Sequence, residues 1–255
     1  MTLINANLNW LHWFEKWEAM QNCYIPQRLY RFNLMLKLSN FPRHMKVYIL
    51  DLGGGPGSLA FRSLEYYPNA HIVVADADRV LLTIGQNIAR QKSANIQFLR
   101  VDIRQTGWWE SYQTTFNLVL SATALHWLNT ENLAQVYQRI YQVLKPGGWF
   151  MNSDHIASDN PKTQSRYRKI LQDHQQMAFN NTEVDNWDGF WQSLAAELGR
   201  SDLTDLRETG EIWEGTDDGQ PQKFHTNTLQ NCGFEQIRLY WRDLGEGIIG
   251  ARKPL

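Results

Sequence analysis

One short stretch constrains the fold of this chain more than any other. Residues 47–57 read VYILDLGGGPG, in which an apolar run meets Asp51 and is followed by glycines at positions 53, 55 and 57. Glycine has no Cβ and tolerates positive φ, so a strand can end here, turn sharply and present backbone N–H groups at the start of a helix. This pattern predicts a nucleotide-type cofactor site.

A second glycine pattern competes for the same stretch. The dinucleotide fingerprint G-x-G-x-x-G/A starts from the same strand, turn and helix. Counting from Gly53, however, its sixth position is Ser58 rather than Gly or Ala, and Pro56 lies inside the turn. The dinucleotide fingerprint therefore fits poorly, and a glycine turn with a purely structural role stays open at this point.

Length, charge and cysteine content narrow the class of protein. A chain of 255 residues has room for one large α/β domain or two small ones, and we favour one. Its 43% hydrophobic content is typical of a folded protein, and its net charge of −1 gives no reason to expect a polyanionic partner. Cys23 and Cys232 provide neither a metal cluster nor a disulfide framework. Without a secretory signal or a membrane-spanning apolar run, a cytoplasmic location is expected.

Beyond the glycine turn, short apolar runs alternate with helical periodicities. This alternation is typical of a parallel sheet with crossover helices. The predicted strands are 47–50, 71–75, 96–101, 116–120 and one that begins at 149–152, followed by a terminal hairpin of 234–244 and 247–251. The predicted helices between them are 58–64, 78–92 and 133–144, the last stopped by Lys145-Pro146-Gly147-Gly148.

Two segments fall outside this predicted core. The predicted units are an N-terminal helical cap (1–46), a cofactor-binding core (47–155 and 227–255) and a helical insertion (156–226). The cap predicts two helices, the second starting at Pro26, and the insertion predicts helices at 162–179 and 187–199. Because ligands bind above the carboxyl ends of the strands in open α/β folds, the cap and insertion are expected to form a lid.

Two acids follow predicted strands. Asp76 ends the second strand, where an acid accepts hydrogen bonds from both ribose hydroxyls of an adenosine moiety. Nicotinamide-dependent enzymes place an acid at the same point, so Asp76 indicates a ribose without choosing a cofactor. Asp102 ends the third strand.

The order and spacing of these segments resemble the class I (Rossmann-like) S-adenosyl-L-methionine (SAM)-dependent methyltransferases of the small-molecule branch. The stretch D-x-G-x-G-x-G at 51–57 resembles their motif I. FLRVDIR at 98–104, FNLVLSATALHWL at 116–128 and LKPGGWF at 144–150 resemble their later segments in the correct order. The resemblance implies an α/β fold with a seven-stranded, mostly parallel sheet, an antiparallel terminal hairpin and helices on both faces.

The resemblance also implies a cofactor and the residues that bind it. The cofactor would be SAM and the product S-adenosyl-L-homocysteine (SAH). Gly53, Gly55 and Gly57 would lie under the methionine part, Asp76 would hold the ribose, Asp102 and the Ile103 backbone would read the adenine, and Ser121 would line the pocket. Ala77 would be a further cofactor-binding residue. Some relatives place a carboxylate-binding arginine where Arg28 stands, with Arg31 as a second candidate and a solvated surface charge as the alternative. Asp51 would organise the turn through water or backbone.

His126 is the candidate for chemistry beyond cofactor binding. Attack on a sulfonium methyl is an in-line displacement, and a base is needed only when the acceptor must lose a proton. An imidazole suits a hydroxyl or amine acceptor, whereas an ionised carboxylate needs no base; the alternative is that His126 only packs beside Trp127. His155, Asp154 and His225 are further candidates. No metal is predicted, because these residues show no recognisable ligand spacing.

The distribution of tryptophan indicates where a substrate would bind. Six of the eleven tryptophans lie in the cap and the insertion. Trp13, Trp127, Trp187 and Trp191 are candidates for an apolar or aromatic substrate pocket. The stripe of Trp10, Trp13, Phe14 and Trp17 is explained equally well by packing against the rest of the fold. A homodimer contact is a third possibility for this stripe.

The predicted function is methyl transfer to an oxygen or nitrogen of a small, apolar or aromatic metabolite. The insertion carries thirteen acidic and seven basic residues, a balance that would repel a phosphate backbone, so no nucleic-acid partner is expected. One alternative is a protein methyltransferase, because residues 1–46 carry a net charge of +4 that could dock an acidic partner protein. The other is an inactive SAM-binding scaffold. A nicotinamide-dependent dehydrogenase is disfavoured by Ser58 and Asp102.

Overall fold

The strands form where the apolar runs predict them. A computed structural model describes residues 8–207, 209 and 213–255. The strands are β1 (Tyr48–Leu52), β2 (His71–Asp76), β3 (Ile96–Arg100), β4 (Phe116–Ala122), β5 (Leu144–Ala157), β6 (Gln220–Pro221), β7 (Glu235–Asp243) and β8 (Glu246–Arg252). The main sheet has the order β3-β2-β1-β4-β5-β8-β7, with β8 antiparallel to both neighbours. The predicted α/β sheet with its terminal hairpin is confirmed, and β6 adds a short parallel pairing to β5.

Helices cover both faces of this sheet. They are α1 (Trp10–Tyr24), α2 (Arg28–Ser39), α3 (Ser58–Tyr66), α4 (Arg79–Gln91), α5 (Thr130–Val143), α6 (Pro161–Asn180), α7 (Trp187–Glu197), α8 (Thr204–Arg207) and α9 (Gln222–Asn231). Side chains along a strand alternate between faces, so Leu50 and Leu52 pack with α5 and α9, whereas Ile49 packs with α2 and α3. All three are fully buried.

The cap and the insertion pack against each other. Trp13, Trp17 and Met20 of α1 share one buried cluster with Phe190 of α7 and Ile84 of α4. Asn186 caps α7 by accepting from the Gly189 N–H, which fixes where that helix begins. Helices from both outlying segments are thereby held over the α4 side of the sheet.

Three predicted boundaries were wrong for local reasons. Helix α2 begins at Arg28 rather than Pro26, because Gln27 adopts a left-handed conformation with φ of 55°. Strand β5 begins at Leu144, and the Lys145–Gly148 stretch is accommodated by an irregular register between β4 and β5. The predicted insertion boundary at residue 226 falls inside α9, which packs against β7 and is continuous with the core.

Some of the predicted features lie outside the described residues. Residues 1–7 of the predicted cap belong to this group, as do positions 208 and 210–212 of the predicted insertion. Among the residues that are described, no helix has the length and apolar character needed to cross a bilayer.

Candidate functional site

A cavity opens at the carboxyl ends of β1, β2 and β4. This first cavity encloses about 1070 Å³ of space, part of which is open to solvent. Of the predicted cofactor residues, Gly53, Gly55, Asp76, Ala77, Asp102, Ile103 and Arg28 line it. The residues between Gly53 and Ile103 therefore meet in one wall, because parallel strands end at the same edge of the sheet, and Arg28 of α2 joins them from outside the sheet.

The glycine turn forms the floor of the first cavity. Gly53 and Gly55 have φ of 65° and 53°, in the region that glycine adopts without strain. A Cβ on Gly53 would collide with the Ala124 side chain, so the backbone here approaches the loop after β4 too closely for any other residue. A Cβ on Gly55 would lie 3.6 Å from Leu81 and 3.7 Å from Trp17, both of which line the cavity. Gly57 does not line the cavity; it precedes α3 with φ of 89°.

Asp76 is held rigidly at the end of β2. Its Oδ2 accepts from the Gly55 N–H at 2.8 Å and its Oδ1 accepts from the Asp78 N–H at 2.8 Å. Burial raises the pKa of Asp76 to about 6, although these backbone hydrogen bonds favour the ionised form. A carboxylate fixed in this way can still accept bonds from a pair of ligand hydroxyls through its remaining lone pairs.

Asp51 is a buried acid that lacks a hydrogen-bond partner. The side chain is 1% exposed, and within the described residues no hydrogen bond of good geometry reaches either oxygen, although the Ala60 N–H is near enough to favour the ionised form. Burial, followed by repulsion from Asp76, raises the pKa of Asp51 to about 7. Since Asp51 lines the first cavity, its oxygens fit a ligand that brings an ammonium or hydroxyl donor.

The environment of Asp51 predicts a stability gain on losing its charge. Because the folded-state pKa of about 7 lies above the ordinary 3.8, the ionised form destabilises the fold, and this cost grows from pH 4 to pH 7. Asp51→Asn should therefore raise the free energy of unfolding of the ligand-free protein by about 1–3 kcal/mol at pH 8, less than the full pKa difference implies because the amide is also buried.

Urea unfolding at pH 8 and pH 4 measures this gain. The gain should nearly vanish at pH 4, and Asp243→Asn, which removes an exposed charge, should change little at either pH. A loss of stability at pH 8 would contradict the assignment of Asp51 as an uncompensated charge.

Asp102 is engaged by an arginine that the sequence analysis did not single out. Arg104 donates from Nε to Asp102 Oδ1 at 2.9 Å and from Nη2 to Oδ2 at 2.7 Å. Burial opposes ionisation, but these bonds hold the pKa of Asp102 below its ordinary range.

Arg104 also pairs with Glu214 of the insertion at 2.5 Å. The N–H groups of Glu214 and Gly215 both donate to the Trp127 carbonyl at 2.9 Å, which fastens the insertion to the rim of the cavity.

Two predicted arginines occupy different places. Arg28 lines the first cavity and is paired with Glu18 of α1 at 2.8 Å. Arg31 lies outside that cavity, where it pairs with Glu246 at 2.5 Å and donates to Ser153 Oγ at 2.7 Å. Arg207 was not predicted, yet it lines the cavity and donates to Asp78 at 2.6 Å.

Of the remaining predicted pocket residues, some line the first cavity and others lie outside it. Trp127 and Trp187 line the first cavity. Trp13 lies in the core, where its Nε1 donates to Glu197 at 3.1 Å, and Trp191 lies against the Arg207 guanidinium at 4.0 Å from the ring centre. Ser121 is buried and donates to the Leu52 carbonyl at 2.9 Å, so its hydroxyl joins β4 to β1 instead of facing the cavity.

A buried histidine–carboxylate cluster lies between two cavities. The Nδ1 of His126 is 2.7 Å from Asp154 Oδ1, and the His126 N–H donates to Asp154 Oδ2 at 3.1 Å. The ring of His155 lies 4.5 Å from that of His126, and its own Nδ1 bonds Glu246. Burial opposes ionisation of Asp154, but the two imidazoles hold its pKa well below the ordinary range. The cluster is therefore equipped to hold a proton on an imidazole.

The positions of the three histidine candidates differ. His126 packs against Trp127, whose side chain borders the first cavity. His155 lines a second cavity, beneath α6. His225 lies apart from both, 2.6 Å from the Tyr137 hydroxyl, and burial lowers its pKa to about 4. Ligand atoms of His126, Asp154 and His155 lie within 4.8 Å of one another, so the cluster could also receive a cation; the expectation of no metal stays a prediction.

Comparison with known proteins agrees with this geometry. Residues 49–148 match the family described as "Methyltransferase domain". Human acetylserotonin O-methyltransferase is 29% identical over 56% of this chain and 40% of its own length. Demethylmenaquinone methyltransferase of Leptospira interrogans is 26% identical over 55% of each protein. This chain thus spans about half or less of the length of these curated relatives.

Solved structures share the fold. Human N-acetylserotonin methyltransferase in complex with SAM superposes with a TM-score of 0.54 at 20% identity, covering 94% of this chain and 57% of that one. An O-methyltransferase family protein from Burkholderia thailandensis has a TM-score of 0.57 at 10% identity, covering 96% and 70%. The fold is that of the class I, Rossmann-like methyltransferases. Residues 49–148 match a methyltransferase domain, as the motifs in this segment predict.

Proposed function

We propose that this protein is a SAM-dependent methyltransferase that methylates an oxygen or nitrogen of a small, apolar or aromatic metabolite. The observation that carries the proposal is the placement of the His126–Asp154 pair directly behind Trp127, which lines the cavity built by the glycine turn and Asp76. A donor site and a candidate base are thereby adjacent. The names of the relatives, which include O-methyltransferases, a benzoquinol methylase and C-methyltransferases, support methyl transfer to a small molecule, while the oxygen or nitrogen acceptor is argued from His126.

The residues of the first cavity suit the parts of the cofactor. When bound, SAM supplies an electrophilic methyl group. The unpartnered Asp51 carboxylate suits an ammonium, Asp76 suits the ribose hydroxyls, and Asp102 with the Ile103 backbone suits the adenine edge. Arg28 lines the same cavity and suits the carboxylate at the methionine end, for which it would exchange Glu18, now held through two hydrogen bonds. These contacts would orient the methyl group without chemical change in the protein.

His126 would manage the acceptor proton. For a hydroxyl or amine acceptor, the imidazole accepts the proton as the acceptor atom attacks, and Asp154 holds Nδ1 and stabilises the resulting imidazolium. A carboxylate acceptor would need no base. Helices α1 and α7, with the segment around Glu214, would close the site against water. The cytoplasmic location and a homodimer stay predictions.

Cofactor affinity should decrease in acid. Ribose hydroxyls donate to the ionised form of Asp76, whose pKa is about 6, so protonation removes these bonds. SAH affinity should fall about tenfold between pH 7.5 and pH 5. 5′-Methylthioadenosine keeps the ribose and lacks the amino group proposed for Asp51, so it should show the part of the fall that is due to Asp76 in calorimetric titrations. Constant affinity for both ligands over this range would speak against the ribose contact.

A labelled-methyl assay tests the proposed function. Purified protein would be incubated with methyl-labelled SAM and a panel of small phenols, alcohols, amines and carboxylic acids. Transfer to at least one phenol, alcohol or amine supports the proposal, and Asp76→Asn serves as the control without cofactor binding. SAM binding without transfer to any member, together with a stable protein partner, would favour the scaffold alternative.

A further inference from the structure

The second cavity has the size of a binding site for a small metabolite. It lies above the carboxyl ends of β5 and β7, between α6 and the turn that joins β7 to β8. The cavity encloses about 1300 Å³ of space, part of which is open to solvent. Tyr24, Tyr167, Leu171 and Trp241 supply apolar and aromatic wall. A ring system would find both volume and packing surface here.

The charge of this cavity is negative. Its wall contains four carboxylates, Asp217, Asp218, Asp243 and Glu246, against the single arginine Arg168. Asp218 is paired with Arg168, and Glu246 is paired with Arg31 from behind the wall. Asp217 forms no direct ion pair but lies within the electrostatic reach of Arg168. Asp243 accepts from the Gln27 side-chain amide at 3.1 Å. The exposed rim therefore carries more negative charge than its one arginine balances.

His155 lies between the second cavity and His126. Its Nδ1 is occupied by Glu246, which is itself held by Arg31, and both of these residues are more than nine-tenths buried. The Nε2 is the nitrogen left for a ligand. The ring lies 4.5 Å from that of His126, which packs against Trp127 of the first cavity. A molecule in the second cavity would thus lie against His155, with the candidate base on the far side of that ring.

The charge of His155 also bears on which ligands this cavity prefers. Although burial opposes it, Glu246 raises the pKa of His155, and His174 lies on α6 at the same wall. Even with His155 protonated, its charge is balanced within the buried pair with Glu246. The rim carboxylates remain the groups that a ligand entering from solvent meets first.

We propose that the second cavity binds the methyl acceptor, and that this acceptor is an organic cation with an aromatic or apolar body, selected over anionic molecules by Asp217 and Asp243. The assignment as acceptor site rests on the proposed function, whereas the charge preference is a property of binding alone. Small carboxylates are disfavoured as substrates by the same rim.

Matched probes measure the charge preference. We would titrate 2-phenylethylamine, 2-phenylethanol and phenylacetate calorimetrically into SAH-loaded and SAH-free protein. The amine should bind about threefold tighter than the alcohol, and phenylacetate about threefold weaker, as expected for exposed charges. The spread should shrink at high salt, since these carboxylates are open to screening.

Variants with internal controls locate the binding. Asp243→Asn should abolish most of the preference for the amine and leave the alcohol unchanged. Glu235→Gln, at the opposite end of the same strand and away from the cavity, should change neither. Leu171→Trp should narrow the cavity at its apolar wall and weaken the binding of all three probes by at least about threefold. Met177→Trp adds the same side chain to the same helix outside the cavity wall and should have no effect.

The outcomes separate this inference from the proposed function. Failure of SAH to bind would count against the proposed function, while the probe titrations on SAH-free protein would still decide the charge preference. Phenylacetate binding as tightly as the amine, binding unaffected by Leu171→Trp, or no binding of any probe at millimolar concentration would each overturn the inference.

Discussion

Asp76→Asn is expected to weaken SAM and SAH binding by at least about 100-fold. The carboxylate is fixed by the N–H groups of Gly55 and Asp78, so it presents its free lone pairs in one orientation. Charge-assisted hydrogen bonds to two ribose hydroxyls contribute about 1.5–3 kcal/mol each, and asparagine can replace them only in part. Calorimetric titration of both ligands into the variant measures the loss.

A neighbouring aspartate supplies the control for this prediction. Asp78 lines the same cavity, but its carboxylate is already occupied by Arg207 and by the first turn of α4. Asp78→Asn keeps a side chain that can cap the helix and should reduce SAH affinity by less than about tenfold. Near-normal SAH binding by Asp76→Asn would refute the ribose assignment.

His126→Asn is expected to lower kcat by about 100-fold or more with a hydroxyl or amine acceptor. Asparagine can place its amide near the position of the imidazole Nδ1 and donate to Asp154, so the buried carboxylate stays satisfied. The variant lacks Nε2 and with it the capacity to accept a proton, which is the contribution of a general base. SAH affinity should stay within about threefold of wild type, because His126 does not line the first cavity.

Another buried histidine distinguishes catalysis from packing. Both ring nitrogens of His225 are engaged, by the Tyr137 hydroxyl and the Gln220 carbonyl, away from the cluster. His225→Asn should therefore alter stability and leave kcat within about twofold. Turnover that survives in His126→Asn would leave only a packing role for His126.

The sequence could predict those parts of the site that are local in the chain. Strands β1 and β2 are buried apolar runs that end in an acid, and glycines follow where backbone must turn, so Asp51, Gly53, Gly55 and Asp76 could be placed without a structure. Parallel strand order then brings them to one edge. The terminal hairpin could also be predicted, because its two strands are neighbours in sequence.

What could not be predicted depends on contacts between distant segments. Arg104 meets Glu214 across 110 positions, and Arg207 meets Asp78 across 129. From sequence alone, a charged residue in an insertion is expected to be a solvated surface charge, because its partner is distant in the chain. Ser121 is the opposite case. The resemblance places it at the cofactor pocket, whereas its hydroxyl bonds the Leu52 carbonyl and does not face the cavity. The second cavity likewise exists only once α6 lies over β5 and β7.

Parallel calorimetric titration of wild-type protein with SAM, SAH and NADH is the measurement that tests the central claim most directly. The first cavity, with its glycine turn, Asp76 and unpartnered Asp51, predicts micromolar binding of both adenosyl sulfur compounds and no binding of NADH. Binding of NADH in place of SAM and SAH, or no heat with any of the three, would contradict it.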